Sequence, residues 1–245
     1  MCIRDSPERA KELGATEEEK AAFAACARDM YIPYDEESKL FEQHDGFFRL
    51  PHVDVKKIPI TDFPLYHHWS YDRIYRNDMI KQPDVLMFML LFGGDFTFEQ
   101  KLKNYEYYEP RCIHESSLSP SVHSILASEL KKHDEALSFF GFASRLDLDD
   151  YNRNTCEGLH TTSIAAAWLN IVYGFGGVRN FDGVLNINPS IPEIWRGYSF
   201  KLNYRGANIA VKVTRGRAEI SCDGEVPAVV CGKNVVLSGD TVFEI

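Results

Sequence analysis

Residues 85–92 read Val-Leu-Met-Phe-Met-Leu-Leu-Phe, and residues 164–173 read Ile-Ala-Ala-Ala-Trp-Leu-Asn-Ile-Val-Tyr. Both segments are apolar nearly all round a helix, which is typical of a helix that is buried on every side. Residues 98–109, which lie between them, are amphipathic, with polar side chains such as Lys103 opposite apolar ones such as Tyr105. This alternation of buried and half-exposed helices predicts two concentric layers of helices.

Local signals mark where these helices begin. Capping boxes start at Thr16 and Thr97, each with Glu or Gln three residues later. Pro83 and Pro120 fit the first turn of a helix, where no amide hydrogen bond is lost, and Thr161 opens the last apolar helix. The three apolar helices therefore start at roughly forty-residue intervals, the period of a helix-pair repeat. Helix pairs repeated in this way form a closed ring of two layers, a helical toroid. Its inner helices run parallel, so their N-termini lie together at one end of the ring.

The pattern changes at Gly176-Gly177. The chain beyond it alternates polar and apolar residues, with Arg205-Gly206, Arg215-Gly216 and Asp223-Gly224 as turn signals, which predicts hairpin strands. The sequence therefore predicts a mainly α protein with a small antiparallel β-sandwich domain at its C-terminal end. We place the boundary so that residues 7–178 are helical and residues 179–245 form the β-domain. Residues 1–6 fit no element, and residues 31–77 read as a long irregular connection.

The amino-acid composition of the chain excludes some classes of binding partner. The chain has 245 residues, is 44% hydrophobic and 26% charged, and carries a formal net charge of -9. Nucleic acids and anionic membranes need a local excess of Lys and Arg, so neither is an expected partner. The six cysteines show no C-x-x-C pair, and no membrane-length apolar run or signal peptide is present, so we expect a cytoplasmic protein with reduced thiols.

Polar residues gather just before each of the three apolar helices. Free backbone N–H groups and the positive ends of helix dipoles would lie beside them, which predicts an anion site. Each residue alone also has a plainer interpretation, because Ser-Ser often only caps a helix and a single His is often a satisfied core residue. The residues concerned are Lys81, Gln82, His114, Glu115, Ser116, Ser117, Glu157 and His160.

Several strings in these segments resemble a known family. HESSLSP at residues 114–120, EGLH at 157–160 and YGFGG at 173–177 resemble, in order and spacing, the C-terminal region of glycoside hydrolase family 65. The resemblance implies the closing helices of an (α/α)6 barrel, followed by a small β-domain. It also implies inverting phosphorolysis, in which phosphate attacks an α-linked glucose disaccharide such as maltose, trehalose, kojibiose or nigerose and releases β-glucose 1-phosphate.

The resemblance carries over to particular residues. It implies that Lys81 and Gln82 contact the glucosyl unit, and that Ser116, Ser117 and His160 bind phosphate. Phosphate is then a substrate and no cofactor or metal is expected. The family's general acid is a glutamate in a Gly-Pro-Asp-Glu-Tyr-type motif, which we expect upstream of residue 1. No catalytic residue is therefore assigned here, and we expect an inactive fragment whose inner helices keep an exposed apolar flank, from an enzyme that is a homodimer when complete.

Two other functions remain open. One is a family 65 hydrolase of the trehalase type, which would need a protein carboxylate to activate water. The other is a noncatalytic carbohydrate-binding fragment. The strings around Ser116 and His160 favour phosphate over water as the nucleophile. The sequence does not identify the disaccharide linkage, although the overall resemblance favours nigerose or kojibiose.

Other polar residues have two interpretations each. Glu115 and Glu157 are candidate acids, or they merely complement a helix dipole or fix a loop. The His67-His68-Trp69 segment suggests an aromatic wall more than a metal site, since it lacks further ligands at metal spacing. The loop with Asp147, Asp149, Asp150 and Tyr151 either braces the site or is a solvated acidic turn.

Overall fold

The computed structural model describes residues 12–181 and 183–245, which divide into two compact units. The first unit ends at Tyr34 and contains helix α1, Glu17–Asp29. The capping box predicted at Thr16 is confirmed, because the Thr16 side chain accepts from the Glu19 amide and the Glu19 carboxylate accepts from Thr16. Residues 1–6 and the predicted start of the helical part at residue 7 lie outside the described residues.

The second unit, Asp35–Ile245, begins with the segment predicted to be irregular. Its cis Phe63-Pro64 peptide bond leads into a short helix. Leu65 is fully buried in an apolar cluster with Met79 and Ile113, so the segment is packed although its elements are short. These elements are β1 Tyr34–Asp35, β2 Leu40–Phe41, α2 Leu65–His68 and α3 Tyr71–Tyr75, with 3-10 turns at Phe47–Arg49, Val55–Lys57 and Ile60–Asp62.

Five longer helices follow. The second predicted capping box is confirmed at Thr97, and Pro120 lies in the first turn of its helix as predicted. Pro83 instead occupies the N-cap position, because its helix begins one residue later, at Asp84. The helices are α4 Asp84–Leu91, α5 Phe98–Tyr108, α6 Ser119–Glu129, α7 His133–Arg145 and α8 Thr161–Leu169, with 3-10 turns at Gly93–Asp95, Glu109–Arg111 and Thr155–Glu157.

Helix α6 is the centre of the helical layer. It packs against α4 and α8, the other two apolar helices, and also against the amphipathic helices α5 and α7. Two buried serines tie inner helices to α7: Ser124 Oγ donates to Ala136 O, and Ser163 Oγ donates to Ala143 O, both at 2.8 Å. The inner and outer layers predicted from the alternating pattern are therefore present, and the helical region is part of an (α/α)6 barrel.

The glycine-rich end of α8 is shaped by close packing. The α-helix ends at Leu169, and Asn170–Phe175 form a π-helix instead of the predicted continuation to residue 173. Gly176 allows this turn to pack closely, because a Cβ there would lie 2.6 Å from Val172 O and 2.7 Å from the Phe200 ring. Gly177 has a positive φ of 59°, and a Cβ on it would overlap the carbonyl group of Asn188.

The C-terminal region is a sheet of six strands. Its hydrogen-bonded order is β3-β4-β7-β6-β5, and β8 also pairs with β7. The alternating pattern of the sequence is reflected in a core of alternate strand residues, such as Ile209, Val211 and Val213, each almost fully buried. The strands are β3 Arg179–Phe181, β4 Val184–Ile187, β5 Gly197–Tyr204, β6 Ala207–Thr214, β7 Arg217–Val230 and β8 Lys233–Glu244.

Two features of this sheet differ from the sequence prediction. Asp223-Gly224 is not a turn: it lies within β7, where the register with β8 shifts between Cys222 and Val226. The turn lies at Cys231-Gly232, where both residues have positive φ. The irregularity separates the part of β7 that pairs with β6 from the part that pairs with β4, and the β4–β7 pair is parallel, not antiparallel. None of the described helices is long and apolar enough to cross a bilayer.

Candidate functional site

The site starts from a short pairing of two segments that precede inner helices. Ile80 and Cys112 form an isolated parallel β-bridge. The Ile80 amide donates to Arg111 O at 2.9 Å, and the Ile113 amide donates to Ile80 O at 3.0 Å. Because the two segments run side by side in the same direction, residues just after Ile80 lie beside residues just after Ile113. The polar groups at the starts of α4 and α6 are thereby brought to one place.

A buried ion pair supports this pairing from behind. Asp78 is 4% exposed, and its Oδ2 accepts from Arg111 Nε at 2.9 Å. The same carboxylate contacts His52 Nδ1 at 2.7 Å and accepts from the Val53 amide at 2.9 Å. The Asp78 carboxylate, with these partners, holds the chain near Ile80 in place. Lys81 and Gln82 therefore follow directly after a rigid segment.

Gln82 and Ser116 meet directly. Ser116 Oγ donates to Gln82 Oε1 at 2.8 Å and accepts from the Leu118 amide at 3.2 Å, and Ser116 is buried. A hydroxyl has a single proton, so Ser116 gives its proton to Gln82 in this arrangement. Ser117, the next residue, is half-buried. The structure thus joins one residue predicted for the glucosyl unit to one predicted for phosphate.

Lys81 is exposed, and its ammonium group lies over the ring of Tyr66, 5.3 Å from the ring centroid. Tyr66 is the residue that the sequence interpretation missed at this site. Burial, and then the nearby carboxylate of Glu157, raise the pKa of Tyr66. Tyr66 therefore lies between Lys81 at the start of α4 and the turn that leads into α8. It lies directly before the His67-His68-Trp69 segment, but no pattern in the sequence distinguishes its ring.

The other aromatic in that segment has structural partners. Trp69 Nε1 donates to Asp62 Oδ2 at 2.9 Å, and the Arg73 guanidinium lies 3.5 Å from the Trp69 ring centroid. His67 and His68 are exposed at the end of α2. Trp69 also packs against the apolar cluster around Leu65, so it helps to hold the segment that carries Tyr66.

Glu115 is a half-buried carboxylate next to the serine pair. The Leu65 amide donates to Glu115 Oε1, which fixes the carboxylate. Burial raises the pKa of Glu115, while the Leu65 amide and the positive charge of Lys81 act in the opposite direction. The carboxylate therefore ties the first residue of α2 to the segment that precedes α6.

His160 precedes α8 and is held by a carboxylate. Asp147 Oδ2 accepts from the His160 amide at 2.8 Å, and Asp147 Oδ1 lies 2.5 Å from His160 Nδ1. Both side chains are largely buried, at 19% exposure for His160 and 13% for Asp147. The hydrogen bond from the His160 side chain lowers the pKa of Asp147. Asp147 therefore braces a predicted site residue.

The rest of the acidic loop behaves differently. Asp149 pairs with Arg145 on the exposed side, with Oδ1 2.6 Å from Nη2. Asp150 Oδ1 accepts from Thr155 Oγ1 at 2.8 Å and from the Thr155 amide at 3.1 Å, which closes the turn before His160. Tyr151 packs on Phe142 with ring centroids 3.9 Å apart. The two interpretations of this loop thus apply to different residues: Asp147 is internal, whereas Asp149 is solvated.

Within the described residues, one group of side chains has the composition of a metal site. Cys112, His114 and His123 each offer a ligand atom, and these atoms lie within 4.8 Å of one another. Burial raises the pKa of Cys112 to about 12 and lowers those of His114 and His123 to about 3 and 4. His114 Nδ1 lies 3.1 Å from Ser119 Oγ, and His123 Nδ1 lies 2.7 Å from Ser119 O. The group is thus a neutral hydrogen-bonded network at the start of α6.

Residues 2–169 match the sequence profile of the glycosyl hydrolase family 65 central catalytic domain, and residues 178–237 match that of the family 65 C-terminal domain. These two matches cover the helical and the β regions respectively.

Two curated relatives and one solved structure are similar to this chain. Maltose phosphorylase from Bacillus subtilis (strain 168) is 45% identical over 212 residues, which are 86% of this chain and 28% of that protein. Alpha,alpha-trehalose phosphorylase from Thermoanaerobacter brockii is 43% identical over 206 residues, 84% of this chain and 27% of that protein. The structure named "Putative kojibiose phosphorylase from human microbiome" is 50% identical with a TM-score of 0.87, over 98% of this chain and 32% of that one. The chain thus spans less than a third of each.

Proposed function

This chain belongs to glycosyl hydrolase family 65, and we propose that it supplies the phosphate site and part of the glucosyl site of a disaccharide phosphorylase. The reaction is inverting phosphorolysis, in which inorganic phosphate attacks the anomeric carbon of an α-linked glucose disaccharide and β-glucose 1-phosphate leaves with a free sugar. The family membership and the phosphorylases among the relatives support this assignment.

One observation carries the proposal: the hydrogen bond of 2.8 Å from Ser116 Oγ to Gln82 Oε1. Phosphate must approach the anomeric carbon of the bound glucosyl unit to within bonding range, so the two subsites must share a wall. A Gln predicted for glucose and a Ser predicted for phosphate, in direct contact at the mouth formed by two helix starts, meet that requirement.

Each residue has a distinct proposed role. Lys81 and Gln82 hydrogen-bond the glucosyl hydroxyls, with Lys81 placed by its contact with Tyr66. Ser117 and His160 donate to the phosphate oxygens beside the positive end of α6, and Ser116 links the two subsites while sharing its proton with Gln82. Phosphate takes the position that a base and its water hold in inverting hydrolases, so only one carboxylic acid is needed.

We assign that acid to a glutamate outside these 245 residues. Glu115 is committed to the Leu65 amide, and Glu157 is exposed in the turn before α8, so neither is chosen. Phosphorolysis by the chain alone is then expected to be slower than that of complete relatives by at least about a hundred- to ten-thousand-fold, the contribution of general-acid assistance.

Three further assignments complete the proposal. Phosphate is a substrate, and no cofactor is assigned. The free thiols of the cysteines in the described part of the chain, Cys26, Cys112, Cys156, Cys222 and Cys231, favour a reducing compartment, and we assign the protein to the cytoplasm. The complete enzyme is proposed to be a homodimer.

Calorimetric titration of the chain with inorganic phosphate and with maltose, kojibiose and trehalose separately tests the site. His160→Ala is expected to weaken phosphate binding roughly ten- to a hundred-fold, because it removes one hydrogen bond to a charged group, and to leave disaccharide binding nearly unchanged. Lys81→Ala should show the reverse selectivity.

The matched control is His133→Ala, since His133 is an exposed histidine at the start of α7. It should bind both ligands like the parent chain. If His160→Ala lost both ligands together with thermal stability, His160 would be a structural residue. Unchanged phosphate binding in a stably folded His160→Ala variant would remove His160 from the site.

A further inference from the structure

The two contacts between Asp147 and His160 fix more than the position of the ring. One carboxylate oxygen accepts from the His160 amide at 2.8 Å, and the other lies 2.5 Å from His160 Nδ1. An ionised carboxylate can only accept hydrogen bonds, so the proton on this side of the ring must belong to Nδ1. We propose that Asp147 is a positioning residue that uses up His160 Nδ1 and leaves Nε2 as the ring atom that meets phosphate.

This inference rests on the function proposed above and adds the proton arrangement of the site. When Nδ1–H donates to Asp147, Nε2 can donate to a phosphate oxygen only if the ring carries both protons. The Asp147 carboxylate occupies the Nδ1 side of the ring and leaves Nε2 as the atom that can face the anion. Asp147 thus prepares His160 to bind an anion, a task for which the neutral ring with a lone pair on Nε2 is poorly suited.

The chain packing makes Asp147 the residue for this task. Asp147 lies in the turn just after α7. Its Oδ2 accepts from the amide of His160, the residue just before α8, so the backbone and the ring of His160 are held by the same carboxylate. The neighbouring carboxylates are committed elsewhere, Asp149 to Arg145 and Asp150 to Thr155. Asp150 also acts electrostatically against the ionisation of Asp147, a weaker effect than the hydrogen bond from His160.

The test compares Asp147→Asn with Asp149→Asn in the full chain, with inorganic phosphate as the probe. An asparagine has one oxygen acceptor and cannot serve both the His160 amide and Nδ1 as the carboxylate does. Asp147→Asn is expected to weaken phosphate binding about tenfold or more, whereas Asp149→Asn binds like the parent chain. Asp147→Glu keeps the carboxylate and should bind phosphate more tightly than Asp147→Asn.

A second measurement needs no phosphate. Nitrogen-15 NMR of the histidine rings should show His160 with a protonated, hydrogen-bonded Nδ1 in the parent chain and in Asp149→Asn, and a mixture of tautomers in Asp147→Asn. A purely structural role for Asp147 would lower the melting temperature without changing the tautomer of a folded variant.

The outcomes separate the two proposals. If Asp147→Asn binds phosphate like the parent chain while His160→Ala has lost it, the positioning role is overturned and the proposed function stands. If the parent chain shows the Nδ1 signal but binds no phosphate, the proposed function is overturned, and the phosphate role of Asp147 with it. A His160 ring protonated only on Nε2 would overturn the inference by itself.

Discussion

Helices α6 and α8 are both predicted from the sequence as inner helices, yet the structure buries them to very different degrees. Every residue from 119 to 128 in α6 is buried. In α8 only Ser163 and Ala166 are buried, while Ile164 is 58% and Trp168 53% exposed. Helix α6 has inner-layer neighbours on both sides, α4 and α8, whereas among the helices that the structure describes α8 packs against one inner-layer neighbour, α6.

The difference shows that an apolar sequence such as that of α8 indicates a buried environment, but does not ensure that the helix is buried in this chain. The side of α8 that faces α7 is packed as in α6, since Ser163 and Ser124 make equivalent hydrogen bonds to α7 carbonyl groups. The opposite side of α8 carries the exposed flank that was expected for an inner helix of an incomplete barrel. Three measurements sharpen or break this comparison.

The largest expected effect is at the core of α6. Leu126 is 1% exposed, so Leu126→Ala should lower the free energy of unfolding by about 2–5 kcal/mol, through lost burial and the cavity left behind. Ile164→Ala, the matched change on the exposed side of α8, should alter it by less than about 0.5 kcal/mol. Urea denaturation measures both. Equal losses at the two positions would show that the exposed side of α8 is covered in solution.

The second expected effect is a pH dependence of the free energy of unfolding, caused by two buried histidines in and beside α6. Burial lowers the pKa of His123 to about 4, and that of the adjacent His114 to about 3, against an ordinary value of about 6.5. The unfolded chain therefore binds protons that the folded chain excludes, so stability is lost as pH falls below about 6.5. The slope approaches 1.4 kcal/mol per pH unit for each histidine.

Urea midpoints between pH 7.5 and pH 5, with NMR of the histidine rings, check this prediction. The exposed His133 serves as the internal reference. A His123 ring that titrates together with His133 in the folded chain would show that α6 is open to water and would remove the contrast with α8.

The smallest effect concerns the two serine hydrogen bonds. Ser124→Ala and Ser163→Ala should each lower the free energy of unfolding by about 1 kcal/mol, because each leaves a buried α7 carbonyl without its donor. Ser138→Ala, at an exposed position of α7, is the control and should be neutral. A loss at Ser124 without one at Ser163 would mean that α8 is loosely attached on both sides.

The sequence predicted part of the site and missed the rest for identifiable reasons. Lys81, Gln82 and Ser116 are candidates because each precedes a predicted inner helix, and the structure brings Gln82 and Ser116 together. Tyr66 was missed because its partner Lys81 is distant in sequence and no periodic pattern connects the two. Asp147 was one of several acidic residues in its loop, and only the contacts to His160 distinguish it.

By itself the sequence determined the positions of the longer helices, their alternation between layers and the hairpin strands β5, β6 and the first part of β7. These follow from the periodicity of apolar side chains and from caps and turns, which are interactions within a few residues. Only the tertiary structure decided that Asp223-Gly224 lies within a strand, that α8 ends in a π-helix, and that Asp147 serves His160. These outcomes depend on which distant groups compete for the same hydrogen bonds and the same space, and the local pattern carries no information about that competition.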